Sequence, residues 1–142
     1  MTPEQIFPVV NLIALGGWML LALLPRQPAL VDRIAGAAVP AGLASVYAAL
    51  VLTSWFNSRG GFSSLDAVAA LFENRWLLLA GWTHYLAFDL LVGSWEARDA
   101  RERGVPHLLL LPCLALTFLF GPIGWLLYLG CRRVAVAHDA VP

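Results

Sequence analysis

Four apolar runs of about twenty residues dominate this chain of 142 residues and leave little sequence between them. They extend from about Ile6 to Leu24, Ile34 to Phe56, Trp76 to Trp95 and His107 to Gly130. A helix needs about 20 predominantly apolar residues to cross the hydrocarbon layer, so each run qualifies. The breakers between them are Pro25-Arg26-Gln27-Pro28, Asn57-Ser58-Arg59-Gly60-Gly61 and the charged stretch Glu96–Pro106. Hydrophobic residues make up 60% and charged residues 13% of the chain. Soluble domains carry about 25% charged residues, so the surface of this chain is not built for water. The runs lack the alternation of a membrane barrel. The expected fold is all-α: one integral membrane domain of four transmembrane helices.

Between the second and third runs, Leu65, Val68, Ala69 and Phe72 fall on one helical face. Ser63 and Asp66 resemble a capping box. A short interfacial helix over 63–73 is expected, lying in the headgroup plane. Two cysteines exclude a disulfide scaffold. Cys113 and Cys131 share the fourth run and would lie about 27 Å apart on one straight helix, too far to pair. The nine basic residues, all Arg, balance nine acidic ones without a basic tract, so no nucleic-acid partner is expected. The opening Met1-Thr2-Pro3-Glu4-Gln5 reads as neither signal nor transit peptide. With four crossings, five Arg fall on one side and four on the other, leaving the orientation undecided.

The third run carries two ionisable groups at membrane depth, His84 and Asp89. Such groups cost roughly 2.5–3.5 kcal/mol on insertion scales and mark function by default. Measured from Trp95, Asp89 would lie about 9 Å deep and His84 about 16 Å deep. Tyr85 shares the Asp89 stripe with Gly81, Val92 and Glu96, while Phe88 shares that of His84. Trp82 adds an aromatic wall. Pro112 and Gly121-Pro122-Ile123-Gly124 would break the fourth helix opposite these groups, with Leu111 to Cys113 level with Asp89 and Thr117 nearby. Asn11 adds a polar group from the first run, and Glu73 and His107 are secondary candidates. Glu96, Asp99 and Glu102 read as a solvated loop, and His138 and Asp139 as a tail. Gly36, Gly42 and the neighbouring alanines make the second run the expected contact of a homodimer. Three ligands do not converge at one depth and His107 lies far from His84, so neither a metal nor haem is expected, nor any other cofactor.

The stretch Gly81-Trp82-Thr83-His84-Tyr85-Leu86-Ala87-Phe88-Asp89-Leu90 resembles the W-x-H-x-x-x-x-D-L signature of the abscisic-acid-deficient-four-like family. The charged loop with His107 after it, Gly121-Pro122-Ile123-Gly124 and the early Phe7-Pro8-Val9-Val10-Asn11 resemble it too. The resemblance implies a small four-helix membrane protein with Trp82, His84, Asp89, His107, Pro122 and Gly124 as family residues. In plants that family is required for neoxanthin, made by isomerising the epoxide of violaxanthin to an allene. The missing plastid-targeting extension makes this chain resemble a bacterial member, located in the inner membrane, with a carotenoid or other isoprenoid as its ligand.

Opening an epoxide to an allenic alcohol gives a proton to oxygen and takes one from carbon. Asp89 is the expected donor or relay and His84 its partner, with Tyr85, Trp82, Asn11, Phe88, Pro112, Thr117 and Pro122 shaping one shared pocket. The expected function is a membrane acid–base isomerase or cyclase-like enzyme. A non-catalytic pigment- or lipid-binding protein, or a membrane assembly factor, is the alternative.

Overall fold

The structure, a computed structural model, describes residues 1–139, with side chains through Arg133. The side chains of His138 and Asp139 lie outside the described residues. The described residues fold into helices joined by short connections and contain no strand. The helices are α1 (Pro3–Leu23), α2 (Pro28–Asn57), α3 (Leu65–Phe72), α4 (Arg75–Glu102), α5 (His107–Phe120) and α6 (Pro122–Asp139).

Three of them, α1, α2 and α4, are long and apolar enough to cross a membrane. Large side chains such as Leu12, Leu23, Leu52, Phe56, Leu108 and Leu126 point outward. In lipid such a surface needs no polar cover. Helix α4 is the centre of the bundle. It runs parallel to α1, as Glu4–Arg75, Asn11–Trp82 and Trp18–Gly93 meet in order. It runs antiparallel to α2, where Asp32 meets Arg101, Ala35 meets Ser94 and Tyr47 meets His84.

Helix α2 contains a π-helical turn, Ile34–Ala38, in which the Val39 N–H reaches the Ile34 carbonyl. The next carbonyl in that pattern, Ala35, would need the N–H of residue 40, which is Pro40 and has none. The Ser94 hydroxyl of α4 donates to it at 3.0 Å instead. A proline-orphaned carbonyl thus fixes the register of two spans.

The fourth run does not cross as one helix. Its chain breaks at Gly121, where φ is +48°. A β-carbon disfavours that conformation, and Pro122 next to it fits the first turn of a new helix. Helix α6 turns back along α5 so closely that Gly124 lies against Thr117. Cys113 and Cys131, expected far apart, face each other with sulfurs 4.0 Å apart. At 14 residues, α5 is about 21 Å long, short of the roughly 30 Å hydrocarbon layer. Helices α5 and α6 form a hairpin beside the second half of α4, so no continuous fourth crossing helix is present among the described residues.

Other expectations shift with it. Pro112 does not break α5, which runs through it from His107 to Phe120. Helix α4 runs seven residues beyond Trp95, whose ring packs edge-on against Tyr128 rather than closing the helix. The short helix is present as α3, capped by Ser64, whose side chain accepts from Ala67 N–H, in place of Ser63. Its buried residue is Leu71, one position off the expected stripe, while Leu65 stays exposed.

Candidate functional site

The side chains expected to share one pocket are distributed over three faces of α4. Successive helical residues turn by about 100°, so neighbours in sequence can serve different partners.

The first face meets α1. The Trp82 indole N–H donates to Asn11 Oδ1 at 3.1 Å, and Asn11 Nδ2 donates to the Phe7 carbonyl at 2.7 Å. Asn11 and Trp82 do come together, as an interhelical tie. A shallow groove beside them is lined by Pro3, Glu4, Phe7, Arg75, Leu78, Leu79 and Trp82.

The second face meets the α5–α6 hairpin and is polar from the middle of α4 to its end. Tyr85, Asp89, Glu96 and Asp99 recur at spacings of four, seven and three, a single helical stripe. The Tyr85 hydroxyl donates to the Phe118 carbonyl at 3.1 Å. That carbonyl would otherwise pair with residue 122, a proline. Asp89 faces the turn: a β-carbon on Gly121 would sit 2.9 Å from its Oδ1. Among the described residues its Oδ2 is buried without a hydrogen-bond partner. Gly121, not Leu111 to Cys113, is level with Asp89, because α4 ends at Glu102 and the connection is shorter than its charges suggested.

Glu96 is fully buried and accepts from the Thr117 hydroxyl at 2.9 Å. Asp99 is 8% exposed and accepts from Tyr128 at 2.6 Å, Arg103 at 2.8 Å and Arg132 at 3.1 Å. The solvated-loop reading of Glu96 and Asp99 is therefore overturned. The usable signal was the Asp89 stripe itself, which continues through both, while Arg101 turns to Asp32 of α2 and Glu102 is exposed. Thr117 holds Glu96 rather than lining a ligand pocket. Replacing it by Val leaves a buried carboxyl without its donor and is expected to cost about 1–3 kcal/mol, measurable as a lower melting midpoint in detergent.

The third face meets α2 and α3 and is apolar apart from His84. A groove of about 610 Å³ opens there. That lies within the roughly 300–1,000 Å³ of small-molecule sites. Its walls are aromatic, with Tyr47, Trp55, Phe56, Phe62 and Phe72, completed by Val51, Leu52, Leu71 and Leu77. Gly81 also lines the groove, and a β-carbon there would meet the Phe72 ring at 2.8 Å. His84 also lines the groove, stacked on Phe88 at 4.5 Å between ring centroids and 5.4 Å from Tyr47. No charged side chain is among the lining residues.

His84 and Asp89 thus occupy different faces, the five-residue offset winning over any bend of α4. Of the remaining candidates, Pro112 and Pro122 are exposed, and Glu73 is exposed just beyond α3. His107 Nε2 lies 2.9 Å from the Ala22 carbonyl in the last turn of α1. It ties two helices together there. Among the described residues no three His, Cys, Asp or Glu side chains are grouped to hold a metal ion.

The model of the ABA DEFICIENT 4-like family matches residues 5–128. No curated protein and no solved structure matches the chain.

Proposed function

This chain belongs to the ABA DEFICIENT 4-like family, and from that membership we propose a membrane protein of carotenoid or related isoprenoid synthesis, acting as an acid–base isomerase. Its substrate lies in the aromatic groove between α2, α3 and α4. The observation that carries this reading is His84: it supplies the one imidazole of a groove otherwise without charged groups. An apolar polyene enters such a groove sideways from the bilayer and fills it by contact with the rings.

One imidazole can serve both halves of an epoxide isomerisation. As imidazolium it gives a proton to the epoxide oxygen while the C–O bond breaks. As imidazole it then takes a proton from the adjacent chain carbon, and that C–H pair becomes the new double bond. The group ends as it began, and no electrons enter or leave. Such general acid–base steps contribute typically 10²–10⁴-fold in rate. Asp89 lies on another face and is not asked to touch this substrate; it belongs to the polar stripe against the hairpin.

The test is expression of wild type, His84→Ala and Asp89→Asn in hosts accumulating epoxidised and simple carotenoids, followed by pigment chromatography. A new isomer is expected with wild type and at least a hundredfold less with His84→Ala. Asp89→Asn, if it folds, should retain conversion. Conversion by His84→Ala at the wild-type rate would overturn the role of His84. A wild-type protein that purifies with unaltered pigment would point to binding or assembly instead.

A further inference from the structure

The hairpin changes where the charges lie, and with it the orientation of the whole protein. With α1, α2 and α4 as the crossings and the α5–α6 hairpin entering and leaving on one side, the start of α1 falls on one side of the membrane, together with the end of α2, all of α3 and the start of α4. The opposite side holds the α1–α2 connection and the end of α4. It also holds both open ends of the hairpin, because Tyr128 and Arg132 of α6 return to Asp99 near the end of α4.

Sorting the nine arginines of the chain by this topology leaves Arg59 and Arg75 on the first side. The second side takes Arg26 and Arg33 beside the α1–α2 connection, Arg98, Arg101 and Arg103 at the end of α4, and Arg132 and Arg133 in α6. A four-crossing reading returns the last two to the first side and erases the bias. Seven against two is a strong asymmetry, and it falls in short connections and helix ends, where positive residues govern insertion. Ion pairs from Arg101, Arg103 and Arg132 to Asp32 and Asp99 do not offset it, since acidic residues contribute little to that rule.

We propose that this arginine-rich rim rests on the anionic lipid headgroups of the face on which the chain is synthesised, the cytoplasmic face in a bacterial cell, with the start of α1 on the far side. The partner is defined by its chemistry: anionic headgroups attract a juxtamembrane ring of guanidinium groups. The carboxyl stripe of Asp89, Glu96 and Asp99 then descends from the cytoplasmic side. The groove beside His84 lies in the opposite half of the bilayer.

The full chain carrying a reporter after Pro142 tests this in a bacterial host. Fused green fluorescent protein should fluoresce and fused alkaline phosphatase should be inactive, at least tenfold below the same enzyme fused to a known periplasmic end. An epitope placed before Met1 should be removed by protease added outside spheroplasts. Both ends on one side would overturn the re-entrant topology. Opposite ends with the reporter results exchanged would overturn the assignment of the rim. A second variant tests the cause: Asn57→Arg and Ser63→Arg with Arg26→Gln and Arg33→Gln reduce the ratio to five against four. Mixed reporter activity is expected from it, and an unchanged pattern would show that the rim does not set the orientation.

Discussion

Gly124→Ala should be among the most damaging single substitutions in this protein, while Gly130→Ala, six residues further along the same helix, should be neutral to slightly stabilising. A β-carbon at Gly124 would fall on the backbone of Thr117, and a backbone atom cannot swing aside as a flexible side chain can. The residue it would displace also holds Glu96 through its hydroxyl, so parting the two arms of the hairpin also strips a buried carboxyl of its donor. Overpacking costs typically about 1–3 kcal/mol and the lost donor a similar amount, so a loss on the order of 3 kcal/mol or more is expected. At Gly130 no atom of the described residues lies within 4 Å of an added β-carbon, and Ala favours helix over Gly by roughly 0.8–1.0 kcal/mol. Thermal melting of the two variants in one detergent makes the comparison. Equal midpoints would show that α5 and α6 are not folded against each other.

The second large effect is covalent. Mild oxidation of the wild-type protein, with copper phenanthroline and dioxygen as acceptor of the two electrons and two protons, should link Cys113 to Cys131 within one molecule. The sulfurs are 4.0 Å apart across the hairpin. They need to approach only to the roughly 2.05 Å of a disulfide. Two free thiols should disappear on titration, and the intact mass should fall by two hydrogens without a dimer band. Cys113→Ser and Cys131→Ser should each abolish the product. A continuous fourth helix would hold the same residues about 27 Å apart and yield no such link. Dimers alone, with no intramolecular product, would therefore refute the hairpin.

Both experiments address the element that the sequence described least well. The apolar run from His107 to Gly130 has the length and composition of a crossing, and Pro112 looked as capable of breaking it as Pro122. The difference is local. Pro112 sits within a helix that continues through it, whereas Pro122 follows a glycine at positive φ. A break between two helices sets an angle, and a hydropathy profile carries no angle. What fixed it was close approach, Gly124 on Thr117, together with Tyr85 donating to the carbonyl that Pro122 leaves free.

Misreading that turn displaced much else. With α4 ended at Trp95, Glu96 and Asp99 became loop residues, although they continue the face of Tyr85 and Asp89. With the fourth run straight, the two cysteines were separated and the arginines balanced five to four. Asp89 and His84 both lie within the long apolar helix α4, and the cost of such groups in lipid is independent of fold. Their supposed common pocket was a tertiary statement, and the structure assigns them to different faces.

The sequence by itself determined the membrane as solvent, the helical class, the three long spans, the short helix between the second and third, and the family signature around Trp82, His84 and Asp89. Those follow from composition and periodicity, which act within a few turns of one helix. Tertiary structure alone decided that the last run turns back halfway, which partner each face of α4 meets, and that Tyr128 and Arg132 return to Asp99 near the end of α4. Those depend on contacts between residues distant in sequence, where a glycine admitting a backbone or a hydroxyl reaching an orphaned carbonyl settles the geometry.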